Sequence, residues 1–257
     1  MRALTFNIHH GVGLDGVHDL ERVARVIEPV AADLVALQEV DRHLSARSGH
    51  LDQAGWLARR LDMEMAYGPV VDLGPAASPP ASTDGRAGGS DGPRRQYGIA
   101  LLSRVPLREA RNMLLTRPRG GEQRGLLGAV VDVEGRPVRV FCTHLQHRSR
   151  TERLAQASQI AESVAAGAGS VVVMGDLNAR PGDAEIAPLT EALDDAWDVA
   201  GDGAGFTFDA ATPHARIDYI LTSADVVARS AAVLPTDASD HLAVVAGLEL
   251  DTLGSAG

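Results

Sequence analysis

Val171–Asp183, VVVMGDLNARPGD, is the stretch on which the reading of this chain turns. Its first four residues are apolar and three of them are β-branched, the pattern of a strand buried on both faces. Gly175 breaks the run, and Asp176 and Asn178 follow with one residue between them. On an extended backbone that period sets both side chains on one side, at the strand's exit. An anion and an amide there can hold a water and a hydrated cation against a phosphate. Arg180, Pro181 and Gly182 turn the chain, and Asp183 stands where it can cap a following helix. Alone, the same letters also describe an Asx turn closing a core strand, so the other segments have to decide.

Working outward, 257 residues correspond to roughly one to two domains, and a hydrophobic fraction of 45% is ample for a large core. With aromatics at 4%, that core is packed mainly with Val, Leu, Ala and Ile. No run approaches the ~20 apolar residues of a membrane helix. Met1 leads straight into RALTFNI without the charged and apolar regions of a signal peptide, so a cytoplasmic location is expected. The single cysteine, Cys142, excludes an internal disulfide and a cysteine-rich zinc site; inside VRVFCTHL it reads as an inert buried thiol. Formal charge is −10, which weighs against tight non-specific binding of nucleic acid. Every basic side chain is Arg, with thirteen between Arg94 and Arg153 against five acids. That basic middle third suits an anionic substrate, because a guanidinium offers a planar fork to phosphate oxygens.

Alternation and apolar runs predict eight strands: Arg2–Ile8, the run LVALQEV after Asp33, Tyr97–Ser103, Leu126–Val133, Val138–Thr143, the run from Val171, Arg216–Thr222 and Leu242–Leu250. The second delivers Gln38 and Glu39, and Glu134-Gly135-Arg136 joins two others as a hairpin. Helices are expected over Asp19–Val30, Leu51–Leu61 (Trp56, Leu57 and Leu61 inward), from Ser149 with a capping box to Glu152, and briefly at Ala184–Leu193. Leu73–Gln96 is rich in Pro, Gly, Ala and Ser and cannot bury enough to order itself, so it reads as a flexible insertion, a lid or a plain loop. The expected domain is 1–250, with 251–257 a disordered tail.

Asn7, Glu39, His144, Asp176 with Asn178, Asp218, and Asp240 with His241 all follow or interrupt apolar runs. A buried carboxylate without a partner costs several kcal/mol, so such groups come paired or metal-bound. One is ordinarily a satisfied core polar group; six stretches ending this way, from position 7 to position 241, point to a single shared pocket. Oxygen donors with few imidazoles and no thiolate favour Mg²⁺, with Mn²⁺ also possible, over zinc. Such a pocket suits hydrolysis of a phosphate ester.

TFNIHHG, VALQEVDR, YGIALLSRVPL, THLQHR, GDLNARPGD, RIDYIL and SDHLAV resemble, in order and spacing, the motifs of the endonuclease/exonuclease/phosphatase superfamily. The resemblance covers nearly the whole chain outside 73–96 and the tail. It implies a four-layer α/β sandwich, two packed mixed β-sheets flanked by helices. It also implies Glu39 as principal metal ligand, with Asn7 beside it and Asp240 as a second metal-side carboxylate. Asp176 resembles the residue that orients or activates the attacking water, and Asn178 one that holds a phosphate oxygen. His241 resembles the imidazole facing the scissile phosphate, its tautomer set by Asp218. His144 matches a second histidine of the deoxyribonuclease-like branch, a general acid or phosphate donor, and Arg124 a phosphate-binding arginine. His9 and His10 follow Asn7, and His10 is the candidate for the pocket wall; His147 either touches substrate or solvates the helix start.

The expected activity is a phosphodiesterase on a small molecule, lipid headgroup or nucleotide, with no protein partner implied. The alternative is a DNA or RNA nuclease gripping through the Arg94–Arg153 region, Arg119 and Arg124 included. A silent binding module predicts gaps in the matched positions, and there are none. A serine or cysteine hydrolase needs a nucleophile elbow, and no GxSxG occurs.

Overall fold

The computed structural model describes residues 1–75, 92–118 and 120–251. Arg119, the tail beyond 251 and most of the 73–96 insertion lie outside the described residues. In chain order the elements are β1 (Arg2–Asn7), α1 (Leu20–Ile27), β2 (Leu34–Arg42), α2 (Gln53–Leu61), β3 (Glu64–Pro75), β4 (Arg94–Ser103), β5 (Arg108–Leu114), β6 (Gly125–Val133), β7 (Arg136–His144), α3 (Arg150–Ala165), β8 (Ser170–Asp176), α4 (Ala187–Thr190), β9 (Asp194–Asp195), α5 (Ala196–Ala200), β10 (Asp218–Thr222), β11 (Val226–Leu234) and β12 (Ala243–Leu250).

They form two mixed sheets of six strands, ordered β11-β12-β1-β2-β4-β3 and β5-β6-β7-β8-β10-β9. In each sheet only the central pair is parallel, β1 with β2 and β7 with β8; the flanking pairs are antiparallel. A parallel neighbour needs a crossover, and α1 and α3 supply it. Asp19 caps α1 by accepting from Glu21 N and Arg22 N, and Ser149 caps α3 by accepting from Glu152 N.

Alternation along the strands sorts the core into layers. Val172 and Met174 face the opposite sheet with Ala3, Ala36, Leu101, Leu127, Val140 and Val244, whereas Val171 and Val173 face α3 with Ile160, Leu145 and Leu221. On the far side Leu4, Phe6, Leu37 and Leu102 pack under α1 and α2 against Val23, Ile27 and Leu57. A four-layer α/β sandwich results, and each fully buried aliphatic side chain contributes roughly 1.5–3 kcal/mol. Cys142 sits in the seam between the sheets, where its thiol donates to Leu37 O at 3.4 Å and accepts from Gln38 Nε2 at 3.3 Å. Burial pushes that thiol up to about 12.

Several local expectations change. β3 and β4 run to Pro75 and from Arg94, so both ends of the predicted insertion are strand. Asp183 caps no helix; it accepts from Arg180 N at 2.8 Å, and the α4 N-cap is Ile186 without a side-chain bond. Asn178 does not continue an extended backbone: its φ is +50°, and its N–H donates to Asp176 Oδ1 at 2.9 Å. The Asx-turn reading therefore holds as well, and the turn is what swings the amide inward. Gly175 has φ +155°, and a Cβ there would meet the Thr143 carbonyl of β7.

Candidate active site

The parallel pairs end on the same side of the sandwich, and their exits open into a cleft of about 790 Å³. His9, His10, Glu39, Arg124, His144, Asp176, Asn178, Asp240 and His241 line it, joined by Arg47, Arg95, Tyr97, His147 and Phe208. Asn7 and Asp218 stand behind this wall, each hydrogen-bonded to a residue in it.

At the first exit, β2 carries a bulge: Leu37 pairs with Ala100 and Val40 with Gly98, so Gln38 and Glu39 together oppose one residue. Glu39 takes φ +58° there. Such a bulge re-aims a side chain, and Glu39 is sent into the cleft. Asn7 Nδ2 donates to Glu39 Oε1 at 3.3 Å and to Asp176 Oδ2 at 3.1 Å, so one amide touches an acid from each sheet. Its carbonyl oxygen accepts from His9 N at 3.1 Å. Burial opposes the Glu39 charge, but His144 and the Asn7 amide outweigh it and hold the carboxyl below its usual range. Burial, then Arg47, holds His10 down to about 4.

At the second exit the groups are sealed from water: Asp176 and Asp218 are 1% exposed, His144 4% and His241 5%. Strand register brings Asp218 opposite Asp176. Asp176 Oδ2 lies 3.3 Å from His144 Nε2 and 3.7 Å from His241 Nε2, and the Asp218 carboxylate is 2.9 Å from His241 Nδ1. Burial favours neutral groups, yet the two imidazoles keep the Asp176 carboxyl well below the ordinary range. Against the same burial, the carboxylates of Asp218 and Asp176 lift His241 to about 10, so it is an imidazolium at neutral pH. Ser239 fixes the loop that delivers His241, donating to Asn7 O at 2.7 Å and accepting from His241 N at 3.2 Å.

Arg124, 3% exposed, donates to His144 Nδ1 at 2.9 Å and to His147 Nδ1 at 3.2 Å, and pairs with Glu122 at 3.0 Å. A guanidinium has no acceptor, so the His144 proton sits on Nε2, toward Asp176. Asn178 Nδ2 lies 3.1 Å from that nitrogen and donates to Leu145 O. Asp240 is more open, its side chain 38% exposed and 3.7 Å from His9 Nδ1.

Thus the structure gathers Asn7, His10, Glu39, Arg124, His144, Asp176, Asn178, Asp218, Asp240 and His241 at one place. Sequence reasoning did not single out Arg47, Arg95 or Phe208. Arg47 is held over the cleft by the buried Asp41 at 2.7 Å, and the Phe208 ring packs on His241 at 4.9 Å. Neither carries a local pattern; loops place them. Tyr97, the first residue of a predicted strand, is a cleft residue, and His147 lines the cleft too. No helix among the described residues is long and apolar enough to cross a membrane.

A family profile described as "Endonuclease/Exonuclease/phosphatase family" matches residues 4–241. No curated protein gives a significant match. Among solved structures, an endonuclease/exonuclease/phosphatase from Beutenbergia cavernae is 27% identical, covers 98% of this chain and 72% of its own, and superposes with a TM-score of 0.79. A mannosyl-6-phosphatase from Bacteroides thetaiotaomicron is 16% identical over 97% of this chain and 100% of its own, at TM-score 0.74. The human Nocturnin catalytic domain, solved with a bound sulfate anion, is 23% identical over 97% and 94%, at 0.70.

Proposed function

This chain belongs to the endonuclease/exonuclease/phosphatase family, a family of phosphoester hydrolases, and from that premise we propose that it is a divalent-metal-dependent phosphodiesterase acting on a small phosphate diester. The observation that carries the reading is the Asp176 carboxylate, shared between His144 and His241 with Asn7 and Asn178 beside it. Two acids from different sheets, Glu39 and Asp176, meet at one amide. A dication fits that donor set, with Glu39 and Asp240 as the residues to hold it and Asn7 to orient Glu39. When bound, it neutralises charge building on the phosphate oxygens.

The chain's own groups do the rest. Asp176, held ionised, accepts from a water and aims it at phosphorus; so acidic a carboxyl orients more than it deprotonates. The new P–O bond forms as the ester P–O bond breaks. His241, cationic and steered by Asp218, gives the leaving oxygen its proton, and the His144 Nε2–H with Asn178 and Arg124 steadies the phosphate oxygens. His10 lines the wall beside Glu39.

A small diester is favoured over a polymer by the cleft's outer wall, where Leu44, Val71, Leu73 and Tyr97 offer apolar contact to an organic group. Of the three arginines there, Arg47 is paired with Asp41, and Arg124, which faces the reacting phosphate, is paired with Glu122, so little cationic charge is left over for the further phosphates of a polyanion. The test is hydrolysis of bis(p-nitrophenyl) phosphate: EDTA abolishes it and Mg²⁺ or Mn²⁺ restores it, whereas activity persisting in chelator rejects the metal role. Activity on plasmid DNA or RNA that falls steeply with salt, and that Arg124→Ala lowers while making the salt slope shallower, would favour the nuclease instead.

A further inference from the structure

His9 and His10 occupy a tight turn on the wall of the cleft. Both have φ +43°, in the left-handed region that β-carbon residues avoid; such a residue persists where its surroundings over-determine it. Here the surroundings do. Gly11 N donates to Ile8 O and Val12 N to His9 O, Asn7 Oδ1 takes the His9 N–H, and Gln53 Nε2 donates to His10 O at 2.7 Å. Glu39, facing this turn, is itself held at φ +58° by the β2 bulge.

Three strained residues in a row of space therefore aim at one point. A ring nitrogen from each histidine and a Glu39 carboxylate oxygen lie within 4.8 Å of one another, a span that donors around one cation occupy. The rings pack edge to face with centroids 4.6 Å apart. Neither ring hydrogen-bonds to any described residue, so their lone pairs are uncommitted, and Asp240 Oδ1 stands 3.7 Å from His9 Nδ1 as a further oxygen. The three residues are half-buried, which leaves an entry path for an ion.

We propose that His9 and His10 supply imidazole ligands to the cation held at Glu39, making a two-histidine, one-carboxylate centre that takes a first-row transition-metal dication in preference to Mg²⁺. This rests on the reading of Glu39 as a metal ligand and changes what that ligand set selects. Mg²⁺ demands oxygen and gives up water reluctantly, while affinity at nitrogen donors rises from Mn²⁺ through Co²⁺.

The test uses the full chain stripped of metal by chelator and titrated with Co²⁺, Zn²⁺ or Mg²⁺, read by calorimetry and, for Co²⁺, by visible absorption. Co²⁺ and Zn²⁺ are expected to bind at least about tenfold more tightly than Mg²⁺, and His9→Asn or His10→Asn to weaken them about tenfold with little change in Mg²⁺ binding. Asn is chosen because it tolerates a positive φ. In the unaltered protein, histidine ring signals in NMR spectra should shift with Zn²⁺ and stay in place with Mg²⁺, a readout that needs no variant to fold. If Glu39→Gln abolishes binding of all three ions while both histidine variants bind as before, the centre at Glu39 stands and imidazole ligation is overturned. If none of the ions binds the unaltered chain, the metal-dependent reading fails together with this one.

Discussion

The two sheets repeat one plan, antiparallel strands around a single parallel pair, yet the exits of those pairs are opposites. Where β1 and β2 leave the first sheet, Glu39, His9 and His10 are half-exposed and share a strained backbone. Where β7 and β8 leave the second, His144 and Asp176 are sealed, and Asp218 and His241 with them. One topology thus produces two dielectric environments. In the proposed reading the open exit exchanges an ion with solvent, and the closed exit shifts proton affinities in a way that water would erase.

The sharpest way to break this contrast is by mutation at both exits. Asp176→Asn or His241→Gln should lower turnover by at least about 100-fold, and added cation should not restore it. Glu39→Gln should instead fail at low metal and recover partly as metal is raised. Rescue of Asp176→Asn by excess cation would merge the two exits into one.

A second effect separates them by pH. The unfolded chain releases a histidine proton near pH ~6.5, whereas folded His241 keeps it to about 10. That proton stabilises the fold in full below the lower value, and its contribution is lost as pH climbs through the upper one. Melting temperature should therefore decline from neutral pH towards pH 10, and the decline should flatten in His241→Gln. Asp176, held below its ordinary range, works the other way and loses its contribution only in strong acid. A melting curve that rises with pH over the neutral-to-basic range would contradict the imidazolium.

A smaller effect tests how the open exit is held. Gln53 donates to His10 O and accepts from Asp41 N, so Gln53→Ala should cost about 1–2 kcal/mol of stability. It should also weaken cation binding while leaving kcat at saturating metal unchanged. Least of all, Cys142 in the seam between sheets should resist thiol reagents until denaturant is added, and a native protein labelled at once would mean the sheets part readily.

The eight strands legible in the sequence are the eight interior ones; β3, β5, β9 and β11, which were not, are the four sheet edges. Interior strands are apolar because both faces are covered. An edge such as β5, REARNML, is exposed along most of its length and carries the charges that keep edges from pairing, so its pattern resembles a loop. The site divides likewise. Polar residues ending apolar runs announced Glu39, His144, Asp176, Asp218 and His241 because burial makes such residues costly. The bulge at Glu39, the left-handed turn at His9 and His10, and the loop that brings Phe208 onto His241 depend on long-range pairing, and no local spacing encodes them.

Asn7 spans the two acids with one nitrogen, at 3.3 and 3.1 Å. A carboxamide that short cannot stretch, so any sliding of one sheet along the other would have to release one of its two grips. At this end of the sandwich the two halves are thereby tied by a hydrogen-bond length as well as by the aliphatic core between them.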